Sequence, residues 1–212
     1  MPAPLASKDE IIDRLFSVFR ERGFEGASLA DLSRGTGLGK SSLYHHFPGG
    51  KAEMVELVLA RSVKLIDDAV LDAAKAASPL KTRARRIVGT FEQLFAGGRA
   101  PCVLGRLASA EVGPAARQNL HRAFEHWIEA IDQLARDSGM SPEQAHIFAE
   151  DWVARLQGAL TLQAGIGTTG PFERVLRSLL DLGRDEATHS THAVPQKDGP
   201  GGQHGNLGSH DD

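Results

Sequence analysis

Helical periodicity is the feature that most constrains the fold of this chain. Apolar residues recur three and four positions apart from Ile11 to Leu180, and no segment shows the two-residue alternation of a strand followed by a hairpin turn. Glycine and proline divide the pattern into separate segments, for example at Gly23, Gly37 and Pro48. The sequence therefore predicts an all-α fold with about nine helices.

The pattern predicts three regions along the chain. Residues 7–50 hold three short helices, the first of which begins at a capping-box sequence, Ser7 to Glu10. Residues 51–184 form a larger helical domain whose first helix is long and runs from Lys51 to about Ala77. Residues 185–212 contain few apolar side chains and much glycine, so we expect a disordered tail that cannot offset its ordering entropy.

Composition excludes several classes of protein. The net charge of −3 gives no global field that favours nucleic acid or membrane, so such binding requires a local patch. The chain has no apolar run near the ~18 residues of a membrane span and no apolar signal core at its N-terminus, so we expect a cytoplasmic protein without a membrane partner. Its one cysteine, Cys102, excludes an intrachain disulfide and a cysteine-based zinc finger.

Catalytic and metal-binding patterns are missing from the sequence as well. We find no nucleophile–base arrangement, phosphate-binding loop or metal-ligand spacing, so we expect no catalytic residues, no metal and no cofactor. An enzyme acting on a small molecule is the first alternative, and turnover without DNA affinity would support it.

Polar donors are concentrated in the segment GLGKSSLYHHFPGGKAEM, residues 37–54. The turn GTGLG joins two short helices in a helix-turn-helix arrangement, whose second helix lies in the major groove of DNA. Lys40 and Tyr44 share one face of that helix, and so do Ser41 and His45, because they are four residues apart. Leu43 and Phe47 point the other way, into a small core.

Side-chain chemistry suggests a role for each exposed group. Lysines and the tyrosine hydroxyl can contact phosphates, a serine at a helix N-terminus can bring backbone N–H groups to a phosphate, and short or planar side chains can reach base edges. The predicted DNA contacts are Ser28, Lys40, Ser41, Ser42, Tyr44, His45 and Lys51.

Spacing alone leaves other functions open. Glycine-punctuated helix pairs with polar surfaces also occur in helical proteins that never bind DNA, including dimerisation modules that use such a surface for protein contacts. A non-specific, nucleoid-type binder is another alternative, which the mild net charge disfavours.

The segment GFEGASLADLSRGTGLGKSSLYHHFPGGKAEM closely resembles the DNA-binding domain of TetR-family transcriptional regulators. The resemblance covers about residues 9–59; one departure is Gly39, where the family commonly has serine. The segment FPGGK resembles the corresponding segment in a branch of the family that includes multidrug- and flavonoid-responsive repressors. The resemblance implies a homodimer that binds a palindromic DNA operator, ~34–36 Å between recognition helices, and a repressor that a small molecule releases.

The same resemblance implies a ligand-binding and dimerisation domain in the C-terminal helices. Four aromatic side chains could form apolar pocket walls and three polar ones could contact the ligand, although an aromatic residue at helical spacing is more often part of an ordinary core. The candidate pocket residues are Phe91, Phe95, Arg106, His121, Trp127, Trp152 and Gln157.

Overall fold

The computed structural model describes residues 7–183 and is helical apart from short connections over that range. The elements are α1 (Lys8–Gly26), α2 (Leu29–Thr36), α3 (Lys40–His46), α4 (Gly50–Ile66), a π-helical turn (Asp67–Leu71), α5 (Asp72–Lys75), α6 (Leu80–Leu94), α7 (Val103–Ala108), α8 (Pro114–Asp137), α9 (Pro142–Ile166) and α10 (Gly170–Leu182). Counted with α4, the π turn and α5 as one interrupted helix, residues 7–183 contain nine helices. The all-α prediction is confirmed; the predicted tail lies outside the described residues.

Helix α1 begins and ends where the sequence indicates. Ser7 and Glu10 form the capping box, in which Ser7 Oγ accepts from the Glu10 N–H and Glu10 Oε2 accepts from the Ser7 N–H at 2.7 Å. Gly23 has φ +69° and ψ −175°, so the regular helix stops there. Residues without glycine's freedom adopt such a positive φ at a steric cost.

The long helix after Lys51 differs from the prediction. It is α-helical only to Ile66, after which the Asp72 N–H donates to the Asp67 carbonyl, five residues back, in a π-helical turn. The helix resumes and ends at Lys75 rather than Ala77. His126 of α8 contacts the first residue of this turn, with Nδ1 2.5 Å from Asp67 Oδ1. Single π turns inside α-helices frequently occur at functional sites.

The C-terminal helices share an aromatic core. The Phe91 ring lies 5.5 Å from the Trp127 ring and 5.3 Å from the Trp152 ring, measured between centroids. Trp152 Nε1 donates to the Val175 carbonyl at 3.0 Å, which ties α9 to α10. Helix α4 packs on α8, so the first long helix of this region also contributes to its core.

Within the described residues, none of the helices combines the length and apolar character needed to cross a membrane.

Candidate DNA-binding surface and internal cavity

The turn between α2 and α3 is fixed by hydrogen bonds of its own residues. Gly37 has φ +75°, and its N–H donates to the Ser33 carbonyl. Thr36 Oγ1 donates to the Leu32 carbonyl at 2.7 Å and accepts from the Leu38 N–H at 3.3 Å. Ser33 Oγ donates to the Leu38 carbonyl at 2.5 Å. These bonds satisfy the polar groups of the turn and hold one angle between the two helices.

Helix α1 supports this turn from behind. Arg14 Nη1 donates to the Thr36 carbonyl at 2.7 Å. A Cβ atom at Gly35 would lie 2.3 Å from Val18 Cγ2, so any side chain there would require Val18 to shift. Sequence reasoning missed both contacts, since neither Arg14 nor Gly35 carries a local signal that reveals its partner.

The predicted division of α3 into two faces is present in the structure. Leu43 and Phe47 are fully buried. All five predicted contact residues on α3 are exposed: Lys40, Ser41, Ser42, Tyr44 and His45. The Tyr44 ring is 50% exposed and lies beside the start of α4, because a Cβ at Gly50 would be 3.6 Å from Tyr44 Cε1. The exposed side of α3 therefore presents a cation, hydroxyls and an imidazole to solvent.

Lys51 differs from the other predicted contacts because it has structural partners. Its Nζ donates to the Ala27 carbonyl at 3.0 Å and lies 4.5 Å from the centroid of the Phe24 ring. It thereby joins the start of α4 to the end of α1. Lys40 has no ion pair with any other described residue.

Ser28 caps α2 and shares its N-terminus with a carboxylate. Asp31 Oδ2 accepts from Ser28 Oγ at 2.5 Å, and Asp31 Oδ1 lies 3.2 Å from Arg34 Nη1 and 3.6 Å from Arg22 Nη2. The hydrogen bonds from Ser28 and the two guanidinium groups lower the pKa of Asp31 below its ordinary value. Asp31 thus pairs with two basic side chains near α2 but offsets only one of their two charges, whereas Lys40 on the exposed face of α3 has no ion pair among the described residues.

Comparison with known proteins agrees with this geometry. Residues 11–58 match the family model for bacterial regulatory proteins of the tetR family, and residues 76–178 match the C-terminal domain of LmrA/YxaF-like transcriptional regulators. The chain belongs to the TetR family. Its members are DNA-binding transcriptional regulators rather than enzymes, which supports DNA binding over the enzyme alternative.

One relative extends over most of this TetR-family chain, and another matches a short segment of it. The transcriptional regulator LmrA of Bacillus subtilis is 22% identical over 181 residues, which are 83% of this chain and 96% of LmrA. IcaR of Staphylococcus aureus, a negative regulator of the biofilm operon icaADBC, is 40% identical over 45 residues, 21% of this chain and 24% of IcaR.

Solved structures share the fold. A TetR regulator from Legionella pneumophila superposes with a TM-score of 0.73 at 18% identity, covering 84% of this chain and 97% of that one. A TetR-family regulator from Agrobacterium tumefaciens gives a TM-score of 0.70 at 21% identity, covering 82% and 95%.

The structure of this TetR-family member does not bring the seven predicted pocket residues together. Phe95 and Trp127 line a small cavity beside α1 and α4, whereas Arg106 and Gln157 line a larger cleft beside α7, α8 and α9. His121 is exposed on α8, with Nε2 3.0 Å from Glu125 Oε1. Phe91 and Trp152 are fully buried in the aromatic core. The four aromatic candidates thus pack against one another in the aromatic core, whereas the three polar candidates lie apart from it.

Cys102 lines both the small cavity and the larger cleft. Gln157 Nε2 lies 3.5 Å from the Cys102 sulfur. Burial raises the pKa of the Cys102 thiol, which disfavours the thiolate that oxidation and metal binding require. No cluster of three or more potential metal ligands occurs among residues 7–183.

Sequence reasoning missed most of the residues that line the cavity, among them two from α1 and one polar residue from α4. Phe16 and Arg20 come from α1, and Ser62 from the middle of α4. Ser62 is a polar residue on the apolar stripe of α4, and its hydroxyl donates to the Val58 carbonyl at 2.8 Å. That interruption of the stripe is a sequence signal; the two α1 residues carry none, because their place at the cavity depends on how α1 packs.

Proposed function

We propose that this regulator is a cytoplasmic, homodimeric repressor that a small molecule releases from a palindromic operator. The observation that carries the proposal is the exposed face of α3, displayed on a turn whose polar groups are satisfied by hydrogen bonds. Because such a helix is already ordered, it can enter the major groove without a further loss of conformational entropy. IcaR, which is similar to this chain over 45 residues, is a negative regulator, and this similarity supports repression.

We assign the contacts on α3 by side-chain chemistry. Lys40 and Tyr44 contact phosphates, which set the register on the duplex, while Ser41, Ser42 and His45 reach base edges. Ser28 and Lys51 lie at the two ends of this surface in the sequence. Both already have partners, Asp31 and the Ala27 carbonyl respectively, so we expect them to contribute less to operator affinity.

The dimer requires an unpartnered surface, and α9 provides one. Leu162 and Ile166 are 47% and 70% exposed, and Ile147 is 53% exposed at the other end of the helix. Between them, a Cβ at Gly158 would meet no atom within 4 Å. Because nothing in the protomer requires glycine there, we propose that this position lets a partner helix approach closely.

Helix α10 contributes to the proposed dimer differently from what its apolar stripe suggests. Phe172, Val175, Leu176 and Leu179 are buried within their own chain, so α10 presents mainly charged residues outward. We therefore propose that α9 supplies the apolar centre of the interface, and that charged residues of α10 lie at its rim.

A bulky residue at Gly158 tests this interface. We expect Gly158→Trp to turn the dimer into a folded monomer, measured by sedimentation velocity and circular dichroism. Ala115→Trp, at an exposed position in the first turn of α8, is the control and leaves the dimer intact. A Gly158→Trp dimer of unchanged affinity would place the interface on another surface.

We propose that residues 7–50 form the DNA-binding domain and residues 51–184 the ligand-binding and dimerisation domain. Helix α4 follows α3 directly and packs on both α1 and α8, so a shift of α4 reaches both regions. A ligand that favours a position of α4 different from the one that DNA favours weakens DNA binding, and DNA weakens ligand binding by the same coupling free energy, typically ~1–3 kcal/mol.

DNA binding is tested by fluorescence anisotropy with fragments upstream of this protein's gene and its neighbours, in the presence of non-specific competitor. We expect tight binding that is lost in the Lys40→Ala/Tyr44→Ala variant. If these fragments show no preference, a selection from the whole genome is the decisive step. Recovery of no palindrome by a folded dimer would contradict the proposal.

A further inference from the structure

The larger cleft beside α7, α8 and α9 has room for a small molecule. Its volume is about 450 Å³, which lies within the ~300–1,000 Å³ range of small-molecule sites. The small cavity beside α1 and α4 has a volume of about 20 Å³, which is room for one water molecule. Phe124 of α8 and Leu160 of α9 give the larger cleft an apolar part, while Ala164 at its wall is exposed to solvent. A ligand can therefore enter this cleft and contact apolar groups there.

Arg106 determines which charge the larger cleft accepts. Its side chain is exposed and has no ion pair with another described residue. Among the described residues of the cleft wall, Arg106 alone carries a charge, since burial raises the pKa of the Cys102 thiol and keeps it neutral. One guanidinium balances a single negative charge and can bind a carboxylate through two parallel hydrogen bonds. The wall therefore favours a monocarboxylate and disfavours a cation.

Gln157 supplies a second donor in the same wall. Its carboxamide lies across α7, where a Cβ at Gly105 would be 2.5 Å from Gln157 Oε1. Glycine is unfavourable inside a helix, and here it makes room for this side chain. Gln157 Nε2 lies 3.5 Å from the Cys102 sulfur, which is a weak acceptor. Because an amide nitrogen carries two hydrogens, Nε2 can also donate to an oxygen atom of a ligand.

We propose that the larger cleft binds a compact aromatic monocarboxylate, whose carboxylate pairs with Arg106 and accepts a hydrogen bond from Gln157 Nε2. The aromatic ring of the ligand packs against Phe124 and Leu160. This inference rests on the proposed release by a small molecule and names the chemical class of that ligand.

The position of the larger cleft also gives a route to the DNA-binding surface. Helix α7 packs on α1, and Glu25 near the end of α1 accepts from the Glu111 N–H, just after α7, at 3.3 Å. Helix α1 in turn supports the turn before α3, because Arg14 donates to the Thr36 carbonyl. Two other grooves exceed the larger cleft in volume, but neither includes a described residue of α7.

The opposite wall of the larger cleft belongs to α9. The cleft residues Leu160 and Ala164 lie on one face of this helix, and the exposed Leu162 and Ile166 of the proposed dimer interface lie on the neighbouring face. A ligand that moves α7 relative to α9 therefore changes the distance between the dimer interface and the support of α3.

The test uses the full-length protein labelled with ¹³C at the cysteine β-carbon. This label gives one NMR signal, because Cys102 is the only cysteine of the chain, and the residue lines the larger cleft. Three probes share one ring and differ in charge: hydrocinnamate, hydrocinnamamide and phenylpropylammonium. We expect the ring of bound hydrocinnamate to shift the Cys102 signal. Calorimetry should show about fivefold weaker binding of the amide, which cannot pair with the exposed guanidinium, and the weakest binding for the ammonium compound.

Matched variants separate the ion pair from the hydrogen bond. Arg106→Met keeps the aliphatic stem and removes the charge, so it should weaken hydrocinnamate binding about fivefold and leave binding of the amide unchanged. Arg85→Met removes an exposed cation of α6 and is the control, which should change neither affinity. Gln157→Met should weaken both probes about threefold, since each has an oxygen that accepts from the carboxamide.

A variant that fills the larger cleft tests the location. Ala108 is an exposed residue of the cleft wall and does not belong to α9, so Ala108→Phe should abolish binding of both probes without changing the dimer. Circular dichroism and sedimentation velocity check its fold and assembly. A Cys102 signal that none of the probes moves, equal affinity for hydrocinnamate and its amide, or unchanged hydrocinnamate affinity in Arg106→Met would each overturn the assignment.

Operator affinity measured on the same samples separates this inference from the proposed function. A protein that binds its operator but shows no shift of the Cys102 signal is a regulator without this ligand site. A protein that shows the shift but has no operator keeps the site and loses the proposed repressor function.

Discussion

The turn between α2 and α3 and the cavity around Trp127 handle their polar groups in opposite ways. In the turn, Ser33 and Thr36 bond to the backbone within five residues, so every bond serves to hold one geometry. At the cavity, the Trp127 N–H is buried without an acceptor in the described part of the chain. A satisfied network favours rigid presentation of a surface, whereas a buried donor without an acceptor lowers the stability of the region that holds it.

Alanine substitutions at two helical glycines test how closely the helices pack. They should give the largest difference in the free energy of unfolding. Gly35→Ala places a Cβ 2.3 Å from Val18 Cγ2, and Val18 is β-branched with little freedom to rotate in a helix. We expect a loss of about 1–3 kcal/mol in the free energy of unfolding, by urea denaturation. Gly89→Ala in α6 meets no atom within 4 Å and should gain about 1 kcal/mol. Equal effects would show that α1 and α2 are not closely packed.

The two tryptophans give the next largest difference. Both phenylalanine variants lose ring volume in the core, but Trp152→Phe also loses the hydrogen bond to Val175. Trp127→Phe removes a donor that has no partner among the described residues. We therefore expect Trp152→Phe to be more destabilising by about 1 kcal/mol in ligand-free protein. Greater destabilisation by Trp127→Phe would mean that its N–H is already satisfied.

The contact between α8 and the π turn should have a smaller effect. His126 Nδ1 and Asp67 Oδ1 are hydrogen-bonded, and their side chains are 28% and 38% exposed. We expect Asp67→Asn to reduce the free energy of unfolding by about 0.5–1 kcal/mol, because solvent screens a partly exposed pair. A double-mutant cycle with His126→Ala measures the coupling, and additive effects would show that the contact contributes nothing.

The smallest effect concerns the pH dependence of the DNA-binding region. The pKa of Asp31 is lower in the folded protein than its ordinary value of about 4, so its ionised form favours folding. That contribution is present above pH 4 and is lost as the pH falls through the lowered folded value. Asp31→Asn should therefore flatten the stability profile on the acidic side, measured by thermal unfolding from pH 3 to 7. An unchanged profile would contradict the assignment.

The two regions also differ in how much of them the sequence predicts. Ser7, Ser28 and Gly37 act within four residues of themselves, so the helix boundaries and the buried face of α3 follow from local patterns. The cavity depends on packing between α1, α4 and α8, which residue spacing does not specify. For the same reason the sequence predicts the seven candidate pocket residues only in part: the four aromatic ones lie together in one core, and the three polar ones lie apart from it.

Lys51 shows the same limit within the DNA-binding surface. The sequence places this lysine beside the polar segment, but only the structure shows that its ammonium group binds the Ala27 carbonyl. Residue type predicts that Lys51 is charged. Whether its ammonium group is available to DNA depends on which groups lie beside it.

The most direct test of the central claim, that the exposed face of α3 binds DNA, is the salt dependence of operator affinity for wild type, Lys40→Ala and Lys51→Ala. If Lys40 contacts phosphate, its variant should bind more weakly and lower the slope of log affinity against log salt by about one per protomer. Lys51→Ala should mainly lower stability and keep most of the slope. A Lys40→Ala variant with wild-type affinity and slope would contradict the account.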